Sequence, residues 1–293
     1  MRQHRKLSRN GARNAAMCFL AVIGTSAALA ADKDPAVPPG RDPGGVAIAI
    51  IGPGLDYTLP QISEHLARDG EGEIIGWDFV DNDRRPFEDL PREGGGRSST
   101  TSLTTAETIL DEVPHPRIIP VRVAGTDALQ LGRAAAYVGQ SPAKIALVLV
   151  ASTRAEDWQF FRKAAEHFSD VLYIGISIEP PTEADMPIRN LDVDPNYPVS
   201  LGIDNLLGIN WVDENGLPSQ GSGYGPATID VAVAGSLSSV AALAARVLAK
   251  EPELKGKALK ARILSLATPL PQGAAPVSKH GWIEDPRKLY PAN

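Results

Sequence analysis

Three serines at the start of a predicted helix are the side chains best suited to act as a nucleophile. Ser236, Ser238 and Ser239 lie between a glycine and an apolar stripe that begins at Val240. A serine hydroxyl becomes an effective nucleophile only when a neighbouring base takes its proton. At a helix start the same hydroxyl commonly accepts a hydrogen bond from a backbone N–H and caps the helix. The position therefore favours a cap, with a relocated nucleophile as the alternative.

The histidines that could supply such a base show no pattern that pairs one of them with these serines. Beyond residue 30 they are His65, His115, His167 and His280. Two of them fall in predicted helices and His115 stands between two prolines, which is typical of surface residues. The sequence contains no Gly-x-Ser-x-Gly, His-Glu-x-x-His, phosphate-loop or dinucleotide-binding motif. The sequence therefore gives no motif-based indication of these common catalytic sites.

A short run of oxygen-bearing side chains is the best candidate for a metal site. It consists of Asp78, Asp81, Asn82 and Asp83. Carboxylate and amide oxygens suit calcium, but the run lacks the spacing and the terminal glutamate of an EF-hand. The same residues are common in turns that bind no metal. We therefore predict no cofactor, with calcium at this turn as the alternative.

The length and composition predict one large folded domain. The chain has 293 residues, of which 43% are hydrophobic and 22% charged, so it can bury a substantial core. Its net charge of -6 argues against nucleic acid as a partner, because phosphate neutralisation needs a basic face. Cys18 is the only cysteine. If the first thirty residues are removed, the protein has neither a disulfide nor a reactive thiolate.

Residues 1–30 have the pattern of a secretory signal. Basic residues up to Arg13 precede an apolar stretch over 15–29, and the sequence Ala-Leu-Ala at 28–30 fits the small-x-small cleavage rule. An uncleaved anchor is the alternative, although the stretch is shorter than the ~20 apolar residues that span a bilayer. We predict a secreted or periplasmic protein that does not associate with a membrane after cleavage.

Alternating strand and helix patterns fill residues 46–268, which we predict to form the folded domain. A proline- and glycine-rich lead-in at 31–45 precedes it, and an irregular tail with five prolines follows at 269–293. The apolar runs that indicate buried strands are 46–51, 118–123, 145–150, 171–176, 206–211 and 229–233. The helical patterns cover 59–67, 103–110, 128–138, 156–168, 238–250 and 256–267. This order predicts an α/β fold with three α/β/α layers and a mainly parallel, doubly wound sheet.

Residues 48–60, with the sequence IAIIGPGLDYTLP, resemble the first motif of the subtilisin-like serine peptidases. In that family an apolar strand delivers an aspartate, followed by Thr-Gly and then by Asp-Tyr-Thr-His-Pro. The residues that match this pattern are Gly54, Asp56, Tyr57, Thr58 and Pro60. Gly52 stands at the position of the catalytic aspartate, and Leu59 replaces the histidine of the motif.

Further matches to the same family follow in order along the chain. Residues 76–87 resemble its Gly-Trp-Asp-Phe strand and the turn after it, and residues 117–123 and 128–140 are similar to the next strand and helix. Residues 222–235 resemble a stretch that runs from Ser-Asn-Tyr-Gly to Asp-Val-Ala-Ala-Pro-Gly. Together the matches span about 46–267, which implies a subtilisin-like fold for most of the chain.

The resemblance places unsuitable residues at the remaining catalytic positions. Arg97 falls at the histidine, and a permanently protonated guanidinium cannot act as a general base. Glu179 falls at the oxyanion asparagine, where a carboxylate repels the developing negative charge. Gly235 runs directly into Ser236, so the loop that normally carries the nucleophile is missing. The positions Gly52, Arg97, Ser236 and Glu179 would therefore form a degenerate site around one cleft.

These observations predict a catalytically inactive relative of the subtilisin-like peptidases. We expect an exported module that binds a peptide or a protein, a true peptidase being one candidate partner. The alternative is a serine endopeptidase or another hydrolase with a rebuilt site, which would use a serine at 236–239 or carboxylates such as Asp56 and Glu179. A structural domain that binds no ligand is a third interpretation.

Overall fold

A single open sheet of eight parallel strands organises the part of the chain that the structure describes. The structure is a computed structural model that describes residues 33–88, 101–177, 188–219 and 222–291. The strands are β1 (Ala47–Gly52), β2 (Trp77–Asp78), β3 (Arg117–Arg122), β4 (Ile145–Val148), β5 (Leu172–Ile176), β6 (Leu206–Trp211), β7 (Val231–Val233) and β8 (Trp282–Ile283). Their order across the sheet is β2-β3-β1-β4-β5-β6-β7-β8. Every neighbouring pair is parallel.

Helices cover both faces of this sheet. They are α1 (Pro60–Ser63), α2 (Thr101–Glu112), α3 (Ala128–Gln140), α4 (Gln159–His167), α5 (Leu237–Lys250) and α6 (Gly256–Leu264). Short 3-10 turns lie at Ala155–Trp158, Val199–Leu201 and Pro286–Lys288. In the chain α2 lies between β2 and β3, which are both on one side of β1, and α3 lies between β3 and β4, so the chain then crosses to the other side of β1 and continues outward to β8. The predicted three-layer, doubly wound architecture is confirmed, and the described sheet is parallel throughout.

Alternating residues of the central strands divide the core into two layers. Ile48 and Ile50 of β1 pack on the side of α2 and α5. Ala49 and Ile51 pack on the opposite side, against α3 and α4. This alternation is the period of two that a strand covered on both faces requires. It explains why the sequence shows β1 as an unbroken apolar run.

The first predicted helix is shorter than its pattern suggests. The pattern covers 59–67, but α1 ends at Ser63. Beyond it, the backbone pairs with other segments: Leu66 forms a bridge with Ile118 of β3, and Arg68 forms one with Ile74. Pairing with β3 therefore overrides the local helical preference of these residues.

The proline-rich lead-in is extended, and polar side chains bind it to the domain. The guanidinium of Arg68 donates a hydrogen bond of 2.7 Å to the carbonyl of Pro38. Asp42 accepts bonds from the Arg68 backbone N–H at 2.8 Å and from Arg117 Nη2 at 2.6 Å. Burial raises the pKa of the Asp42 carboxyl, but these hydrogen bonds outweigh that effect and lower it overall. Residues 34–45 therefore belong to the packed structure.

The chain divides into two units, Met1–Lys33 and Asp34–Asn293. The fold described above is that of the second unit, and residues 1–32, which carry the predicted signal, lie outside the described residues. Among the helices that the structure describes, none combines the length and the apolar character needed to cross a membrane.

Candidate functional site

Gly52 ends β1 at the position where the resemblance implies an aspartate. A Cβ atom on Gly52 would lie 3.2 Å from Leu149 Cβ and 3.3 Å from Ser102 Oγ. Both distances are tight for contacts of a real Cβ atom, so the neighbours would have to move to admit any side chain. Leu149 and Ser102 thus crowd the position at which an aspartate side chain would begin.

The glycine two residues later has a clear backbone role. Gly54 has φ 113, a conformation that L side chains rarely adopt. A Cβ atom there would lie 2.8 Å from the carbonyl oxygen of Phe87. Leu55 N also donates a hydrogen bond of 2.9 Å to the carbonyl of Pro86. The matching glycine of the motif is therefore required by the turn after β1.

Ser102 lies in the first turn of α2 and is fully buried. Among the described residues, none forms a hydrogen bond with its hydroxyl. A buried hydroxyl without a partner costs free energy. Ser102 therefore fills space beside Gly52 and shows no sign of an activated nucleophile. Sequence reasoning missed this residue, because nothing local indicates that it packs against the end of β1.

Two of the four predicted positions cannot be placed. Arg97 and Glu179 lie outside the described residues, in the gaps at 89–100 and 178–187. The roles assigned to them remain predictions from the resemblance.

Ser236 has the capping role that its position favours. It is the N-cap residue of α5, and its Oγ accepts a hydrogen bond of 3.1 Å from the Ser239 backbone N–H. The same Oγ lies 3.2 Å from Ser239 Oγ. This contact satisfies one of the free N–H groups at the start of the helix. The hydroxyl of Ser236 is therefore engaged by its own helix.

The two described positions of this set, Gly52 and Ser236, lie near opposite ends of α2. Gly52 lies next to Ser102, in the first turn of α2. Ser236 caps α5 beside Ser239, and Ser239 donates a 2.7 Å hydrogen bond to Glu112, the last residue of α2. Ser102 and Glu112 are ten residues apart, which corresponds to about 15 Å of helix. Three residues separate the end of β7 at Val233 from the start of α5 at Leu237.

The described histidines supply no base to any serine. The ring of His65 lies 3.3 Å from the carbonyl of Pro116. His115, His167 and His280 are exposed, and the His167 ring packs edge-on against Phe168. No imidazole in the described part of the chain makes a hydrogen bond to a hydroxyl.

A cavity of about 490 Å³ opens between the end of α2 and the start of α5, and we call it the α2–α5 cleft. Its lining residues are Thr108, Asp111, Glu112, Ala234, Gly235, Ser236, Ser239, Asp285, Pro286 and Arg287. Three carboxylates and one exposed arginine thus share a small concave surface. Sequence reasoning found Ser236 and Ser239 but not the cleft, because the other walls come from distant segments.

A buried ion pair forms the floor of this region. Arg246 is 4% exposed, and its Nη1 lies 3.3 Å from Glu112 Oε2 and donates a 3.0 Å bond to the Glu112 carbonyl. The other carboxylate oxygen of Glu112 accepts the bond from Ser239. Glu112 therefore joins α2 to α5 and also holds the hydroxyl of Ser239.

The pair of Ser239 and Glu112 is a poor nucleophile and base. Ser239 is 6% exposed, so an incoming carbonyl cannot easily reach its hydroxyl. The Glu112 carboxylate is also held by the guanidinium of Arg246, whose Nη1 lies 3.3 Å from Glu112 Oε2. The arrangement fits a structural hydrogen bond better than a proton transfer.

The turn for which calcium is the alternative interpretation contains an arginine among its carboxylates. Asp34, Asp78 and Asp81 each place an oxygen within 4.8 Å of the others. Arg122 Nη1 donates to Asp78 at 2.7 Å and to Asp81 at 2.8 Å. Asp78 also accepts the backbone N–H of Val80 at 2.6 Å, as in an ordinary turn. The positive charge of Arg122 thus already neutralises the carboxylates that a calcium ion would need as ligands.

Asp34 joins this cluster from the lead-in, which the sequence did not suggest. Its carboxyl lies 3.8 Å from Arg122 Nη1 and is 7% exposed. Burial raises the pKa of the Asp34 carboxyl, and the attraction of Arg122 only partly opposes that effect. The cluster connects the lead-in to the end of β3.

No protein-family model matches the sequence, and no curated protein matches it. Solved structures do. MycP1 with its N-terminal propeptide removed is 17% identical, with a TM-score of 0.58 over 83% of this chain and 90% of that one. A cold-adapted subtilisin-like serine proteinase is 15% identical, with a TM-score of 0.58 over 84% of this chain and 90% of that one.

A third similar structure is the S393A mutant of the epidermin leader peptide processing serine protease EpiP from Staphylococcus aureus. It is 11% identical, with a TM-score of 0.54 over 83% of this chain and 75% of that one. At these identities the likeness concerns the arrangement of the backbone. Together with the parallel sheet and its two helical layers, it shows that the chain has the subtilisin-like fold.

Proposed function

We propose that this protein is an exported, catalytically inactive subtilisin-like domain that binds a peptide or a protein. The observation that carries the proposal is the end of β1. There Gly52 provides no carboxylate, and Leu149 and Ser102 crowd the position that a Cβ atom would take. A proton relay that activates a serine needs a carboxylate to orient its base, and Gly52 cannot supply one.

Among the residues that the structure describes, we assign the ligand to the α2–α5 cleft. Its volume of about 490 Å³ falls within the range of roughly 300–1,000 Å³ that is common for ligand pockets. Asp111 is exposed on its rim, while Glu112 and Asp285 already face Arg246 and Arg287. A basic side chain of a peptide would complement the exposed carboxylate of Asp111.

The similar structures and the sequence support export and a peptide partner. EpiP is named for processing a leader peptide, and another similar structure belongs to a periplasmic assembly of the ESX-5 inner membrane complex. Residues 1–30 have the pattern of a secretory signal. We therefore place the protein in the periplasm or outside the cell, where a true peptidase is one candidate partner. We propose no nucleic-acid partner, no membrane association after cleavage and no cofactor.

Incubation of the purified protein with a defined peptide library tests this function. We expect some peptides to raise the Tm of the protein while mass spectrometry finds them uncut. Asp111→Lys should weaken that shift at the cleft, whereas Glu214→Lys, an exposed substitution of the same charge change outside the cleft lining, should not.

Two other results would contradict the proposal in different ways. Cleavage of a peptide that Ser236→Ala or Ser239→Ala abolishes would favour the hydrolase with a rebuilt site. The absence of any Tm shift across the library would favour a structural domain without a ligand.

A further inference from the structure

The last described residues fold back over α5 and form one wall of the α2–α5 cleft. We call residues 285–291 the tail latch. They follow β8, and Asp285, Pro286 and Arg287 all line the cleft. The sequence predicts an irregular tail. Hydrogen bonds nonetheless hold the tail latch at two points, one at Arg246 and one at Tyr290.

Arg246 fixes the first point. Its Nη2 donates a hydrogen bond of 2.7 Å to the carbonyl of Pro286, and its Nε donates one of 3.4 Å to the carbonyl of Leu289. The same guanidinium binds Glu112 at the end of α2. One buried side chain thus holds the latch and the helix that forms the opposite wall.

Tyr290 fixes the second point. Its hydroxyl donates a hydrogen bond of 2.6 Å to Glu251 Oε1 and accepts one from Arg262. Its ring lies 5.6 Å from Lys250 Nζ and 5.4 Å from the guanidinium carbon of Arg262. These contacts combine a charge-assisted hydrogen bond with two cation–π interactions.

The backbone of Tyr290 is strained in this position. Its φ is 51, in the left-handed region that costs a non-glycine residue free energy. Such a conformation persists only where the surroundings enforce it. Here the surroundings are Glu251, Arg262 and Lys250, so loss of these contacts would release the strain and favour detachment.

We propose that the tail latch is an autoinhibitory contact that narrows the α2–α5 cleft until Tyr290 is released. Detachment removes the wall formed by Asp285, Pro286 and Arg287 and leaves α2 and α5 facing an open groove. This inference deepens the proposed function because it concerns the same cleft. Opening can nevertheless be measured without a ligand, so either proposal can fail alone.

Thiol labelling measures the opening directly. The exported chain would lack Cys18, so Thr108→Cys introduces a single thiol into the lining of the cleft. We expect Tyr290→Phe to increase its labelling rate by about tenfold, since the hydroxyl loses its bond to a charged acceptor. A chain that ends at Glu284, and therefore lacks the latch, should label at least as fast.

Two controls separate opening from general loosening. Tyr224→Phe removes a tyrosine hydroxyl outside the latch and should leave the rate of the Thr108→Cys protein unchanged. A thiol at the exposed Thr153 should label equally in all backgrounds. The proposal would be overturned if the Thr108→Cys protein were labelled at the same rate with and without Tyr290→Phe. This comparison does not depend on whether the shortened chain folds.

Discussion

The hydroxyl of Ser102 lies 3.3 Å from the point at which a Cβ atom on Gly52 would stand. In a subtilisin-like framework this point is where the resemblance implies the acid of a proton relay. The structure instead packs the first turn of α2 against a bare backbone. The end of β1 is therefore packed as in a folded strand but carries no carboxylate, since a glycine there needs only van der Waals contacts with its neighbours.

A methyl group at Gly52 should reduce stability. Gly52→Ala places Cβ within 3.2 Å of Leu149 Cβ and 3.3 Å of Ser102 Oγ, and overpacking of this kind costs about 1–3 kcal/mol. Urea denaturation measures the loss. Combining it with Ser102→Gly should recover part of the stability, because the two sites share one space. Strictly additive effects of the two changes would contradict the packing described for this site.

Removal of the α5 cap should reduce stability. Ser236→Ala deletes the acceptor for the Ser239 N–H and should cost about 1 kcal/mol of the free energy of unfolding. Ser236→Asp should retain most of that stability, since aspartate caps helices equally well. If alanine were as stable as serine or aspartate, the assignment of Ser236 as a cap would be wrong.

The tail latch should loosen in acid. The hydroxyl of Tyr290 donates to Glu251 and the guanidinium of Arg262 faces it, which together lower the pKa of the Glu251 carboxyl. A lowered pKa in the folded state means that the contact stabilises fully above the ordinary glutamate pKa of about 4.3 and is lost as the pH falls through the lowered value. Hydrogen-exchange protection of residues 286–291 should fall in that range.

A substitution at Glu251 provides the control for this pH dependence. Glu251→Gln keeps the shape of the acceptor but removes the titrating charge, so protection of residues 286–291 should be weaker and independent of pH below about 5. If the Glu251→Gln protein showed the same pH dependence of protection as the unsubstituted protein, a titrating group other than Glu251 would be responsible.

Local patterns in the sequence were enough to predict the central elements. The apolar run at 46–51 predicts β1, which covers Ala47–Gly52, and the apolar stripe from Val240 predicts α5. Both elements are buried, so hydrophobic periodicity determines them directly. The capping role of Ser236 followed from its place at the start of that stripe.

Non-local contacts could not be predicted in the same way. The edge strands β2 and β8 have two residues each and depend on pairing with β3 and β7. Arg246 and Glu112 are 134 residues apart, and Arg122 and Asp78 are 44 apart, so no local signal links them. The distance of Ser236 from Gly52 depends on how α5 lies against α2, which the spacing of motifs does not reveal.

Intact-mass measurement after incubation with a fluorophosphonate probe tests the central claim most directly. The probe reacts with serines whose hydroxyls are activated by a base. We predict an unchanged mass for the folded protein, with an active subtilisin-like peptidase labelled in parallel. One stoichiometric adduct, located on any serine of the folded chain, would contradict the account of an inactive framework.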